Sequence, residues 1–348
     1  MDVGAVRQFA LEVWKVKQGE VVAFTIHLGV RLGLYEVMAG AGPLTPEEVA
    51  EAAEVDPRWT REWLRAQAAA HLLEHDAGRF QLTDAGAAVL ADDRRSPFYA
   101  GGVFRAGTSE GLADAVARAF STGEGFDYEA GGPAVADLIE EMNEPWARLL
   151  LVPMVLPAFD GVVARLGSGC DVVDVGCGTG GALVAMARAF PDSRLVGVDP
   201  SSVAMERARA RTEKLDNVTL VEGTTADLEP DSADLVTAFD CLHDMARPDQ
   251  ALADLRRVVR EDGLVVVKDV KTADDFDQQQ RNPVLAMMYG LSMMACLPSG
   301  IGDGDGMALG NQGLTPRKVE ELATEAGFSQ FTVHDLEDPV NLYYELRP

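Results

Sequence analysis

One segment constrains the fold more than any other: residues 171–181 pass directly from a run of valines into a run of glycines. The valines predict a buried strand, and the glycines Gly176, Gly178 and Gly181 follow the spacing G-x-G-x-x-G. Such a loop lets the backbone turn tightly and approach a ligand closely, because glycine has no side chain. A strand that ends in this loop and then opens a helix is typical of a ligand site in a parallel sheet.

The chain after residue 170 alternates buried strands with amphipathic helices. Strands are predicted at 172–175, 195–198, 218–221, 235–239 and 264–267. Helices are predicted at 181–190, 202–213, 248–260 and 315–326, and a closing antiparallel pair at 331–333 and 342–346. Alternation of this kind requires a parallel, doubly wound, Rossmann-like sheet with right-handed crossovers. The predicted fold class is therefore α/β.

The N-terminal part is predicted to be mostly helical, because its apolar residues recur at helical spacing. Thr45 before Pro46, and Asp56 before Pro57, are start signals for two helices. Residues 72–82 form two short alternating runs around a glycine, which predicts a hairpin. Helices followed by a hairpin predict a winged helix. The predicted domains are a winged helix at 1–95, a helical connector with a possible lid at 96–160, and the sheet domain at 161–348 with an insert at 271–313.

The charge of the chain excludes several classes of partner. In 348 residues, 56 Asp and Glu stand against 30 Lys and Arg, a formal charge of −26. Within residues 1–95 the count is 15 acidic against 10 basic, a net −5. Neutralisation of phosphates therefore cannot drive binding to a nucleic acid or to an anionic membrane. This count disfavours a nucleic-acid-binding regulator, the alternative that a winged helix leaves open.

A cytoplasmic location is expected, because the N-terminal residues lack the apolar core of a signal peptide. The four cysteines form no C-x-x-C pair, which favours reduced thiols. Residues 283–302 carry no charge, but Gly290 and Pro298 interrupt them. We therefore predict a buried helix over about 284–297 rather than a membrane span.

Two carboxylates flank the glycine loop. Asp199 lies 23 residues after Gly176, at the end of the second predicted strand, and by spacing alone this arrangement suits a nicotinamide dinucleotide. Asp174, two residues before Gly176, stands where a dinucleotide fold prefers to place an anionic pyrophosphate. A carboxylate there suits a ligand with an ammonium group instead, so an NAD-dependent oxidoreductase is the alternative rather than the first prediction.

The segment D-V-G-C-G-T-G at 174–180 resembles the cofactor loop of class I S-adenosylmethionine (SAM)-dependent methyltransferases. The N-terminal part resembles the winged-helix dimerisation domain of small-molecule O-methyltransferases, and the whole chain resembles a bacterial subgroup whose pattern includes F-D-C-L-H-D-M at 239–245. The resemblance implies SAM as cofactor, a homodimer and a catalytic domain at 161–348. It implies these cofactor-binding residues: Asp174, Gly176, Cys177, Gly178, Gly180, Asp199, Pro200, Thr225, Ala226, Asp227, Phe239, Asp240 and Cys241.

His243 and Asp244 follow the fourth strand, at the edge of the sheet where ligands of open parallel sheets bind. The pair resembles the His-Asp pair of small-molecule O-methyltransferases, which implies that His243 is the general base for a hydroxyl acceptor and that both residues are catalytic. The alternatives are a helix-capping or pocket-shaping histidine. Asp240 and Asp244 also suit a magnesium-assisted site, but hydrogen bonding is the commoner role for such acids, so no metal is predicted.

The insert at 271–313 occupies the place where this fold commonly holds substrate-binding elements. Its methionines fit an irregular apolar pocket, although a plain core helix has the same spacing. The predicted acceptor is therefore a small apolar or aromatic molecule. Predicted substrate-binding residues, including two from the connector, are Tyr128, Trp146, Met287, Met288, Tyr289 and Met294.

Overall fold

The computed structural model of the protein describes residues 3–92, 96–104, 110–126, 133–302, 304–338 and 340–348. The chain forms two compact units. The first comprises residues 1–107 with 141–145, and the second comprises residues 108–140 with 146–348.

The first unit is a winged helix, as predicted. Thr45 caps one helix through a capping box with Glu48, and Pro46 occupies the first helical position. The turn of the wing uses Ala77 and Gly78, both at positive φ. The helices are α1 (Val3–Arg31), α2 (Leu34–Met38), α3 (Pro46–Ala52), α4 (Pro57–Ala69) and α5 (Asp84–Leu90), with the antiparallel strands β1 (Glu74–Asp76) and β2 (Arg79–Gln81) and a 3₁₀ turn at Gly101–Phe104.

Helix α1 carries large apolar side chains that the described part of the chain leaves exposed. The exposed fractions are 73% for Phe9, 69% for Trp14 and 60% for Phe24. By contrast, Ile26 and Val30 near its C-terminal end are buried in the core of the winged helix. The N-terminal part of α1 therefore offers an uncovered apolar surface.

The second unit is built on a mixed sheet with the strand order β5-β4-β3-β6-β7-β9-β8. The first five of these strands run parallel, and β9 joins β7 and β8 antiparallel. This arrangement confirms the predicted doubly wound α/β fold. The strands are β3 (Asp171–Val175), β4 (Arg194–Asp199), β5 (Val218–Glu222), β6 (Ala233–Phe239), β7 (Val259–Val270), β8 (Gln330–His334) and β9 (Asn341–Arg347).

Helices cover both faces of this sheet. Val172 and Val173 belong to different hydrophobic clusters, because successive strand residues face opposite sides. Strand β7 begins at Val259, ahead of the predicted start at residue 264, and its register with β6 shifts between these two positions. Besides the helices of the winged helix and of the insert, the described helices are α6 (Glu110–Thr122), α7 (Pro133–Leu149), α8 (Val162–Ser168), α9 (Gly181–Ala189), α10 (Ser202–Thr212), α11 (Pro248–Val258) and α16 (Pro316–Glu325), with a π turn at Leu151–Val155 and 3₁₀ turns at Leu156–Ala158, Thr225–Asp227 and Leu242–Asp244.

The predicted helix at 284–297 is present as one helical run, Leu285–Ile301. Its middle part, Ser292–Cys296, has π geometry, and Pro298 lies in its last turn. Met287 is half exposed, so the apolar run is amphipathic rather than buried. The elements are α12 (Phe276–Gln279), α13 (Leu285–Leu291), α14 (Leu297–Ile301) and α15 (Gly310–Gly313).

Among the described residues, no single helix has both the length and the apolar character to cross a membrane. Two short segments, Leu151–Ala158 and Val162–Ser168, meet that test only when taken together, and they are bent by 118°.

Candidate functional site

The glycine loop leaves strand β3 and reaches helix α9 through three residues in the left-handed region: φ is 63° at Gly176, 53° at Gly178 and 80° at Gly180. A Cβ atom at Gly176 would lie 2.7 Å from Cβ of Cys241, so this glycine lets the loop pack against the segment after β6. A Cβ atom at Gly178 would meet no atom within 4 Å. The space beside Gly178 thus holds no atom of the described residues and is open to a ligand.

Asp199 ends strand β4 beside this space. Its carboxylate accepts hydrogen bonds from the backbone N–H groups of Gly178 and Ser201, each at 2.9 Å. Burial raises the pKa of Asp199, and the two N–H donors oppose that rise. Asp199 therefore holds the loop in shape at the carboxyl edge of the sheet, with Pro200 next in the chain.

Asp174 lies within β3, beneath the glycine loop, rather than at the open surface. The hydroxyl of Thr237 on β6 donates a 2.6 Å hydrogen bond to it. Burial raises the pKa of Asp174 to about 7, despite this hydrogen bond. Cys177 in the loop is also buried, and its thiol contacts Met205 of α10.

The turn at 225–227 is held by its own side chains. Thr225 donates a 2.9 Å hydrogen bond to Asp254 of α11, and Asp227 accepts one of 2.8 Å from the N–H of Thr224. Ala226 is exposed. Thr224 and Asp227 thus form a capping box.

Asp240 begins the segment after β6 in the left-handed region, at φ 53°. It is paired with the ammonium group of Lys268, and Asn341 donates a 2.6 Å hydrogen bond to it. Lys268 is buried, with Nζ 4.0 Å from the ring centroid of Trp146. Asp240 is therefore anchored to β7 and β9. Lys268 was not predicted as a site residue, because the sequence does not show that this lysine in an apolar strand pairs with Asp240.

His243 lies between two carboxylates in the 3₁₀ turn Leu242–Asp244. Its Nδ1 is 2.6 Å from Oδ1 of Asp269, and its Nε2 is 3.0 Å from Oδ1 of Asp244. Burial alone would lower the pKa of His243, but the two carboxylates outweigh burial and raise it well above the usual range. Asp269 is a further site residue that the sequence reasoning missed. Asp269 could have been found from its position at the C-terminal end of an apolar strand, where ligands of parallel sheets bind.

The predicted substrate-binding residues fall into different environments. Trp146 is buried, packs edge-on against Phe239 and donates a 2.8 Å hydrogen bond to the Tyr343 hydroxyl. Met288 is buried, Met294 is partly buried, and Met287 and Tyr289 are exposed. The π turn of the insert contacts the turn that carries His243. Tyr128 lies outside the described residues.

Known families match both parts of the chain. Residues 166–327 match the family described as a methyltransferase domain. Residues 20–92 match the family described as an Rv2258c-like winged HTH domain. These matches confirm the two parts that the sequence resemblance implied.

Curated relatives are similar to part of the chain. A demethylmenaquinone methyltransferase of Staphylococcus aureus is 31% identical over 133 residues, which are 37% of this chain and 52% of the relative. A 37.1 kDa protein in a transposon of Streptomyces fradiae is 34% identical over 143 residues, 40% of each chain. The chain thus spans about half or less of the length of these relatives.

Solved structures share the fold over nearly the whole chain. A methyltransferase of calicheamicin biosynthesis, in its form bound to S-adenosylhomocysteine (SAH), is 24% identical with a TM-score of 0.67 and full coverage of both chains. A putative O-methyltransferase of Nostoc punctiforme is 18% identical with a TM-score of 0.71, again covering both chains fully. Human N-acetylserotonin methyltransferase in complex with SAM is 19% identical with a TM-score of 0.67, covering 98% of each chain.

Proposed function

Because the chain joins a winged-helix domain to a methyltransferase domain, we propose that it transfers a methyl group from SAM to a hydroxyl of a small apolar or aromatic molecule. The observation that carries the proposal is the open space beside Gly178, next to the Asp199 carboxylate, in a domain of methyltransferase type. The family match favours this function over an NAD-dependent oxidoreductase and over a nucleic-acid-binding regulator.

The residues around the loop fit the cofactor. Gly178 leaves room for close approach, and the Asp199 carboxylate suits the hydroxyls of a ribose. When bound, SAM supplies an electrophilic methyl group on a sulfonium. The chain's own residues fix the shape of the site: Asp199 holds the loop, and Asp240 anchors the adjoining segment through Lys268.

We assign the general base to His243, with Asp269 as its positioning residue. Asp269 fixes the ring through Nδ1, which leaves Nε2 for the acceptor. In this structure Nε2 faces Asp244, and the carboxylates of Asp244 and Asp269 favour the protonated ring because they raise the pKa of His243. The acceptor hydroxyl must therefore displace Asp244, and the proton on Nε2 must leave to solvent, before His243 can take the proton of the acceptor. In-line methyl transfer also requires that the acceptor be held close to attack geometry.

The test is transfer of isotopically labelled methyl from SAM to a panel of aromatic hydroxyl compounds. We expect His243→Gln to lower turnover about a hundredfold or more, as loss of a general base does, with SAH affinity unchanged. His334→Gln is the matched control, because His334 also pairs with a carboxylate, Glu345 at 3.1 Å. Equal turnover in the parent and in His243→Gln would contradict the assignment of the base.

A second variant tests the positioning residue. Asp269→Asn should lower turnover more than it changes KM, because the ring loses its orientation while the cofactor site is untouched. A change in KM alone, with normal turnover, would assign Asp269 to substrate binding instead.

We further propose that the protein is a homodimer. The uncovered apolar surface at the N-terminal part of α1, with Phe9 and Trp14, is of the kind that a second copy covers. A match to a winged HTH family does not by itself imply DNA binding. The negative net charge of the chain opposes binding to DNA.

We place the enzyme in the cytoplasm. The four cysteines, Cys170, Cys177, Cys241 and Cys296, are free thiols in the structure, which suits a reducing compartment. Fractionation of the source cells tests this placement, and recovery outside the cytoplasm would contradict it.

A further inference from the structure

Three side chains with metal-binding atoms meet where the insert packs on the turn that carries His243. The available ligand atoms of His243, Asp244 and Cys296 all lie within 4.8 Å of one another. His243 and Cys296 are buried, with 5% and 8% of their surface exposed, and Asp244 is partly buried. An imidazole nitrogen, a carboxylate oxygen and a sulfur together form a ligand set that zinc prefers.

The geometry of the cluster is close to that of a zinc site. Donor atoms about 2.1 Å from a tetrahedral zinc ion lie roughly 3.4 Å apart. In this structure, Nε2 of His243 is 3.0 Å from Oδ1 of Asp244, so small side-chain movements would admit the ion. That carboxylate oxygen is buried and makes no well-formed hydrogen bond among the described residues.

The surroundings of the cluster also match those of a metal ligand. Histidine ligands usually donate their other ring N–H to a carboxylate, and Asp269 occupies that position 2.6 Å from Nδ1. Near His243, the carboxylates of Asp240, Asp244 and Asp269 carry a formal charge of −3 against +1 on Lys268 and +1 on protonated His243. The surroundings of the cluster are therefore net negative, which favours a bound cation.

We propose that His243, Asp244 and Cys296 form a binding site for a thiophilic divalent cation, zinc by its ligand chemistry, and that the bound ion inhibits methyl transfer. The inhibitory part rests on the proposed role of His243 as general base. Coordination uses the lone pair of Nε2 that would otherwise accept the proton of the acceptor. Two protons leave to solvent as the metal binds, one from the thiol of Cys296 and one from Nε2 of the charged His243, because the ligands are the thiolate and the neutral imidazole.

Binding is tested with Co²⁺ as a spectroscopic substitute for zinc, on the full-length protein and without any acceptor. We expect one Co²⁺ per chain and an absorption band from thiolate-to-cobalt charge transfer. Cys296→Ser should abolish the band, whereas Cys170→Ser should keep it, because Cys170 is an equally buried thiol next to Ser193. Absence of the band in the parent, or its survival in Cys296→Ser, would overturn the site.

The outer carboxylate gives a second measurement. Asp269→Asn should weaken Co²⁺ binding about 10- to 100-fold, as loss of such a partner does at other sites. Circular dichroism of each variant shows whether it folds, and Cys170→Ser controls for a loss of packing. Unchanged affinity in folded Asp269→Asn would remove it from the site.

Activity measurements separate the two proposals. Zinc should lower the turnover of the parent. The turnover of each variant is compared with its own rate in the absence of metal. Zinc should leave the turnover of Cys296→Ser unchanged. Co²⁺ binding without inhibition by zinc would overturn the inhibitory part and count against His243 as the base. If no acceptor were methylated, the proposed function would fail, while the cobalt titration would still decide the site.

Discussion

Replacement of Gly178 by Ala separates the role of this glycine in ligand binding from its role in the fold. At φ 53°, an alanine is strained by about 1–2 kcal/mol, but its Cβ would meet no protein atom within 4 Å. The free energy of unfolding should therefore fall only by that amount. A methyl group forced into a close contact between backbone and cofactor adds about 1–3 kcal/mol, which weakens SAH binding about 5- to 150-fold.

Two other glycines provide the comparison. Gly161→Ala is the matched control, because Gly161 has φ 79° and equally open space but lies before helix α8, away from the loop. It should lose the same stability and bind SAH normally. Gly176→Ala should lose about 1–3 kcal/mol more stability, since its Cβ would lie 2.7 Å from that of Cys241. Urea unfolding and calorimetric titration with SAH measure both quantities. Normal SAH affinity in Gly178→Ala would refute the location of the cofactor.

Three more results are expected. Asp199→Ala should lose SAH binding, because each hydrogen bond to the carboxylate contributes about 1.5–3 kcal/mol; calorimetry showing parental affinity would exclude Asp199 as a ligand. Asp174 has a folded-state pKa raised to about 7 from 3.8, so stability falls as pH rises between those values. Asp174→Asn should remove up to about 4 kcal/mol of that pH-dependent fall in the free energy of unfolding. Urea unfolding that gives the parent and the variant the same dependence of this free energy on pH would contradict the prediction. The double variant Phe9→Ser/Trp14→Ser should be a monomer by light scattering; a dimer would place the interface elsewhere.

Local chemistry made most of the fold predictable. The strands β3, β4 and β5 were predicted to within a residue at each end, because short apolar runs bounded by polar turns have few alternatives. Strand β7 starts earlier than predicted, because Val259 already pairs with Ala233. Residues 260–263 form an irregularity before Leu264 pairs with Leu235, and the sequence shows no sign of this early pairing. The π turn at Ser292–Cys296 likewise depends on packing, which a helical run of apolar residues does not reveal.

The candidate site was predictable for those residues that directly follow or end a predicted strand, because ligands of parallel sheets bind at the strand ends. The glycine loop, Asp199 and His243 follow strand ends, and the structure brings them to one edge of the sheet. Asp269 and Lys268 were missed because their partners, His243 and Asp240, are remote in sequence and come from another strand. Trp146 stays a predicted substrate-binding residue, and its burial shows that an aromatic residue at such a position suits a core as well as a substrate wall.

The most direct test of the central claim is a calorimetric titration of the unmodified protein with SAH and, separately, with NAD. The account predicts saturable binding of SAH at one site per chain and no binding of NAD. Saturable binding of NAD with no heat from SAH would contradict it, and would assign the glycine loop and Asp199 to a dinucleotide.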